Sequence, residues 1–156
     1  IEFYFFSSIQ SDSARYQLLV KSLEIAKDHF PLGSGFGTFA SHYSGVNYSP
    51  LYAMYGLTNV SGLREGATYF VSDSFWPMVI GQTGFLGFIA FTMALFLLFM
   101  SIQKIRNVRL SYYASALCGI CYLFITSMAE SAFVHPLAIP IAMWIGIMLG
   151  QRLNVK

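Results

Sequence analysis

Charge is what this chain has least of. Only 10% of its 156 residues are charged, where a soluble domain usually carries about a quarter. Nine Lys and Arg against seven Asp and Glu leave a net charge of +2. That is no electrostatic footprint for a nucleic acid, so this class of partner is excluded. Cysteine is nearly as scarce. Cys118 and Cys121 lie together in an apolar run, without the polar surroundings or further ligands that redox or zinc chemistry needs. They read as a buried lipid-phase pair behaving as small hydrophobes. An initiating methionine is missing too: the chain opens IEFYFF, like the last turns of an apolar segment already under way. The expectation is the C-terminal part of a longer polytopic protein, and no cleavable signal can be argued from such a start.

What is present is apolar and aromatic. Hydrophobic residues make up 56%, with 15 Phe and 10 Tyr, and mean hydropathy is +0.58. The class indicated is an all-α membrane protein. Residues 1–10 read as the end of a preceding apolar segment and residues 11–73 as one large extracytoplasmic loop region. That region opens with an amphipathic helix over 13–30. Tyr16, Leu19, Val20, Leu23, Ala26 and Phe30 recur at three- and four-residue steps on its apolar face, opposite Gln17, Lys21, Glu24 and Asp28. Asp12 or Ser13 can cap its start, and Pro31 with Gly33 stops it. Its apolar face suits packing on a membrane domain or lying at the lipid interface. Pro31 to Ser72 sustains no period, but its many tyrosines argue against disorder.

Three spans follow. Residues 74–102 form an uncharged apolar run long enough to cross a bilayer. Gly81, Gly84 and Gly87 near its start suggest a flat stripe for helix contact. Residues 112–130 and 137–151 are the second and third spans, with Pro140 in an opening turn. Lys104, Arg106 and Arg109 in the 103–111 loop, and Arg152 and Lys156 in the 152–156 tail, place those segments in the cytoplasm. The 11–73 region and the 131–136 turn then share the outer face, where their unusual polar residues could gather. His29 and His42 read as ordinary surface histidines.

Residues 30–39, FPLGSGFGTF, are not a dinucleotide fingerprint. That motif needs a third glycine where Thr38 stands, and a strand where this chain has a helix. Two readings stay open. The backbone N–H groups around Gly33, Gly35 and Gly37 could meet a phosphate, or the glycines could simply stop one helix and turn the chain into the next element.

An Arg-led amphipathic helix, PLGSGFGTF, a long outer loop and SDSFWPMVIGQTGFLGF entering a span together resemble the O-antigen ligase and polymerase superfamily. The resemblance covers roughly Ser11 to Phe91. Arg15 matches the Arg that opens the helix in that superfamily, and Pro31 to Gly37 match its Pro-Leu-Gly-x-Gly-x-Gly element. Where ligases typically carry His-Asn this chain has Ser72-Asp73, which favours a repeat-unit polymerase of O antigen, capsule or exopolysaccharide. The resemblance implies a metal-independent membrane glycosyltransferase without a cofactor, in a multi-pass chain of the bacterial cytoplasmic membrane. Its substrate would be a polyprenyl-pyrophosphate-linked glycan, and its partners the bilayer, a flippase and a chain-length regulator.

The candidate residues fit that chemistry. A departing pyrophosphate calls for a planar, always-protonated guanidinium, from Arg15 or Arg64. A sugar hydroxyl attacking as nucleophile calls for a base, from Asp73, Glu130 or His135. Tyr43 and Tyr69 could stack on sugar, beside Gly33, Gly35 and Gly37 as substrate-binding backbone. Each has a plainer reading. Arg15 can be a solvated first-turn residue, Arg64 a surface partner of Glu65 and Asp73 an N-cap. Glu130 and His135 can reach water at the end of a span, and the tyrosines can form an interfacial belt. An O-antigen ligase of the same superfamily, a transporter using Glu130 and His135, and a non-catalytic scaffold stand as alternative functions.

Overall fold

The structure, a computed structural model, describes residues 2–107 and 110–150, with residues 2–13 as helix backbone only. Arg109, Arg152 and Lys156 lie outside the described residues. Those described are all-helical, without a strand: α1 (Glu2–Asp28), α2 (His42–Val46), α3 (Pro50–Met54), α4 (Phe75–Gln103), α5 (Leu110–Thr126) and α6 (Ala138–Gly150), with short 3₁₀ turns at Leu57–Asn59 and Ala132–Val134. The chain divides into two compact units, Ile1–Phe88 and Ile89–Lys156.

In the first unit, α1 differs from its sequence reading in extent and in face. It runs from Glu2 rather than Ser13, so Asp12 and Ser13 lie inside the helix and do not start it. Ala14, Leu18, Ser22, Ile25 and Ala26 are its buried side chains; Ala26 alone of the expected face is among them, while Tyr16, Leu19 and Leu23, and Phe30 just beyond the helix, are exposed. The larger apolar residues drew attention to the wrong stripe. The unit's core instead accepts the narrower face, packing Ala14, Leu18 and Ile25 with Phe39, Ala40, Tyr52, Leu57, Leu63 and Val71.

The stretch after α1 has no long period because it is built of single turns, each with its own cap. Ser41 and Ser44 close a reciprocal capping box around α2. Ser49 caps α3, whose first residue is Pro50. Tyr52 ties these pieces to the core. Its ring lies against Phe39 and Tyr48, at centroid distances of 5.7 and 5.1 Å. Its hydroxyl accepts from the Ala40 N–H at 2.9 Å and pairs with Ser44 Oγ at 2.7 Å. Ala40 adopts a left-handed φ of 49°, and the bond from Tyr52 helps to hold that unfavourable backbone.

Helix α4 is the one described helix long and apolar enough to cross a membrane, with mean hydropathy 2.4 and only 6% of that window buried. The low burial separates it from the core helix of a soluble domain. It is not continuous: Gly84 has φ 64° and ψ −168°. In an unbroken helix the Gly81 and Gln82 carbonyls would accept from residues 85 and 86. Here they accept from the Ser34 and Gly35 N–H groups, each at 2.9 Å, and Leu86 N–H donates to the Pro31 carbonyl at 3.3 Å. Ser34 Oγ also reaches Gly81 O at 3.0 Å. The buried Gln82 side chain clamps the other end of the loop, accepting from Gly37 N–H at 3.0 Å and donating to the Phe39 carbonyl. The PLGSGFG segment thus completes the hydrogen bonding of a broken helix. The expected glycine stripe on α4 is therefore not one. Gly84 is the break, Gly81 makes room for the Phe39 ring, and Gly87 sits under the Thr83 side chain.

The second unit holds α5 and α6, both shorter apolar helices than the spans expected at 112–130 and 137–151. Ile102, Ala116, Ile120, Ile145 and Met148 form its core. Gly119 lets the two helices approach, since a Cβ there would stand 3.3–3.4 Å from Ile141 and Ile145. Pro140 occupies the first turn of α6 as expected. Cys118 and Cys121 are free thiols on the surface of α5.

Burial pushes the Tyr52 phenol up from 10.0 to about 12, against the lowering pull of its bonds with Ser44 and Ala40. A raised folded pKa means that the fold holds the protonated form. This stabilisation is whole below the unfolded value and fades as pH rises toward the folded one. Unfolding at about pH 11 should therefore release extra tyrosinate absorbance. Tyr52→Phe should shrink that step and cost about 1–3 kcal/mol by stranding the Ala40 N–H.

Gly33 and Gly84 meet backbone to backbone. A Cβ on Gly33 would overlap Gly84 N and the Gln82 carbonyl, and one on Gly84 would overlap Gly33 N and Pro31 O. Gly33→Ala and Gly84→Ala should each cost about 2–5 kcal/mol in denaturant unfolding in detergent, from left-handed strain plus overlap. Gly66 has a similar φ of 78° but open space around it. Gly66→Ala should cost only about 1–2 kcal/mol.

Candidate functional site

The fold brings together two residues that lie far apart in sequence. Arg15 stands on α1 and Asp73 just ahead of α4, where the last loop turn has Asp73 N–H donating to Phe70 O at 3.4 Å. Arg15 Nη2 lies 3.7 Å from Asp73 Oδ2, with the two side chains 33% and 30% exposed. A pair so open to water is screened and contributes at most about 1 kcal/mol. Its weakness matters chemically. About a third of each side chain meets solvent, so an incoming anion has access to the guanidinium and the carboxylate keeps contact with water.

Below this pair, the unit is anchored on both sides. α1 is fixed through its Ala14, Leu18 and Ile25 face, and the start of α4 through buried Ser74, Phe75 and Val79. A guanidinium on one rigid helix and a carboxylate at the mouth of another keep their geometry when a ligand arrives, as a binding or catalytic pair requires.

The other sequence candidates fall elsewhere. Arg64 sits on an exposed turn, its carbonyl accepting from Ala67 N–H and its Nη2 donating to Asn59 O at 3.5 Å. Glu65 beside it is exposed. The N–H groups of Gly33, Gly35 and Gly37 donate to His29 O, Gln82 O and Gln82 Oε1. They are engaged within the fold, as the turn reading of these glycines requires. Tyr43 and Tyr69 are exposed, and Tyr43 stacks over Gly37, whose Cβ would stand 3.0 Å from the ring.

The remaining loop tyrosines turn inward. Tyr48 donates to Leu63 O at 2.9 Å, and Tyr55 donates to Asp28 Oδ2 at 2.9 Å. Burial and the Asp28 carboxylate together push the Tyr55 phenol up to about 12, so it acts as a donor and not as a base. His29 and His42 are exposed, as expected of surface histidines.

In the second unit, Glu130 and His135 line one shallow depression with Tyr122, Leu123, Thr126, Ala132 and Leu137. Glu130 closes the end of α5, its N–H donating to Thr126 O at 2.9 Å. His135 Nδ1 accepts from Leu137 N–H at 3.3 Å. That bond places the ring proton of a neutral imidazole on Nε2, which faces away from the backbone contact. Among the described residues no cluster of three or more His, Cys, Asp or Glu side chains is placed to hold a metal ion.

Gln82 was not among the residues singled out from the sequence. Its signal was a lone amide in an uncharged apolar run, where a polar side chain needs partners to be tolerated. No family model, curated protein or solved structure matches the chain.

Proposed function

We propose that this chain belongs to a membrane glycosyltransferase that polymerises lipid-linked oligosaccharide repeat units on the outer face of the bacterial cytoplasmic membrane. The donor is a glycan on a polyprenyl pyrophosphate. What supports the reading is the meeting of Arg15 and Asp73 across 3.7 Å, with the one helix among the described residues that is long and apolar enough to cross a membrane, α4, beginning two residues after Asp73.

The reaction asks two things of the protein. The acceptor hydroxyl oxygen bonds to the anomeric carbon as the bond from that carbon to the pyrophosphate oxygen breaks, and the electron pair departs on the pyrophosphate. Arg15 neutralises that developing charge, usually the largest catalytic contribution. Asp73 takes the hydroxyl proton, and before the donor arrives it holds the guanidinium in place. Arg64, in the same unit, is the next candidate for the phosphate. Tyr43 and Tyr69 offer exposed rings to the sugars, and the loop glycines bring Tyr43 into place.

Arg15→Ala should lower polymerisation by about a thousandfold or more, since a leaving-group clamp is worth on the order of several kcal/mol. Arg15→Lys keeps the charge without the fork and should retain an intermediate rate. Asp73→Asn keeps the side chain's size and polarity but supplies no base, and should also abolish polymer. The measurement is polymer chain length on a gel, from cells with equal amounts of each variant in the membrane. Wild-type ladders from Arg15→Ala would refute the assignment and move it to Arg64.

A further inference from the structure

We infer that the loop joining α1 to the core dips into the lipid–water boundary, so that Phe30, Leu32 and Phe36 enter lipid beside the first turn of α4 after its break. The inference rests on reading α4 as a membrane span, and three observations carry it.

The first is exposure without a protein partner. Phe30, Leu32 and Phe36 are 71%, 65% and 88% exposed, three large apolar side chains within seven residues of one loop. Left in water, each forfeits most of the hydrophobic gain that its burial would give.

The second is continuity with α4. The bond from Leu86 N–H to Pro31 O holds the Phe30–Leu32 stretch against the turn that carries exposed Leu86. From Phe85 to Gln103 the helix is still about 28 Å long at 1.5 Å per residue, close to the ~30 Å hydrocarbon thickness. The part after the break is therefore long enough to cross by itself. If it does, Leu86 lies at the edge of the hydrocarbon, and the loop bonded to it lies at the same depth.

The third observation separates lipid from a protein partner. Irregular backbone is tolerated at membrane depth only when its polar groups are satisfied by protein. The N–H groups of Phe30, Gly33, Ser34, Gly35 and Gly37 all donate inside the fold, and Pro31 has none. The Pro31, Gly35, Gly81 and Gln82 carbonyls likewise accept within it. A loop with part of its backbone paired inside the fold and its apolar side chains turned outward suits the hydrated boundary rather than the hydrocarbon core. Lys27, exposed one turn before Phe30, offers a cation to headgroup phosphates.

The test is site-directed spin labelling of the full chain in phosphatidylcholine–phosphatidylglycerol vesicles, with Cys118→Ser and Cys121→Ser removing the native thiols. Labels go on Leu32→Cys and Phe36→Cys, with Met93→Cys as the control for a lipid-exposed span and Glu65→Cys as the control for water. Relaxation by oxygen and by a water-soluble nickel chelate reports depth. Leu32→Cys and Phe36→Cys should be oxygen-accessible and nickel-shielded, shallower than Met93→Cys, while Glu65→Cys meets nickel freely. Nickel access at residues 32 and 36 equal to that at 65, with Met93→Cys still in lipid, overturns the inference and leaves the span intact. Shielding from both reagents overturns it in favour of a second copy or another protein segment covering the loop. A Met93→Cys label that reads as aqueous sinks the span itself, and the inference with it.

Discussion

One exchange of backbone hydrogen bonds organises the first unit. Gly84 breaks α4 and leaves carbonyls at Gly81 and Gln82 without their helical donors. The loop from Pro31 to Gly37 supplies Ser34 and Gly35 in their place and takes the Leu86 N–H in return. A helix break in an apolar segment is costly when its polar groups go unpaired. Here the cost is offset by a loop whose own N–H groups need acceptors. The end of α1 and the start of α4 are joined by this exchange. The positive φ at Gly33 and Gly84, and the lack of room for a Cβ on either, follow from how closely the two backbones must approach.

The proposed site depends on that junction. Arg15 is placed by α1, and Asp73 by the entrance to α4. The exchange fixes the far end of one element to the near part of the other, while the Phe39–Tyr52–Tyr48 aromatic group fills the space between the intervening loop and α1. Gln82 extends the same clamp to Gly37 and Phe39, and through Gly37 to Tyr43. The glycine-rich stretch is therefore best understood as a structural joint. Its glycine N–H groups turn into the fold, while Phe30, Leu32 and Phe36 are exposed.

Much of this was legible in the sequence, and the failures have definite physical causes. The charge deficit and the uncharged run after Ser74 predicted the long apolar helix, and Pro31 with Gly33 marked the end of α1 to within a turn. Arg15 was singled out by the resemblance and Asp73 by its place before α4, but not as neighbours, because their approach depends on how the loop between them folds. The face of α1 was misread because Tyr16, Leu19 and Leu23 outrank Ala14 and Ser22 in hydrophobicity. Which stripe is buried depends on the surface it meets, and that surface accepts small residues. The break at Gly84 was hidden for a similar reason. A lone glycine in a helical pattern is tolerated, and only its partner some fifty positions away shows that it is a stop. Gln82 was the visible trace of that partner, an amide where an apolar helix has no use for one.

Amide-resolved hydrogen exchange of the protein in detergent tests the junction most directly. If the loop completes the helix, the Ser34 and Gly35 amides should exchange as slowly as amides within α4, and Leu86 should be protected with them. The Glu65–Gly66 turn, equally a loop by composition, should exchange fast. Ser34 and Gly35 exchanging at the rate of that turn, with α4 protected straight through residues 85 and 86, would mean that the helix is continuous and the exchange of partners does not exist.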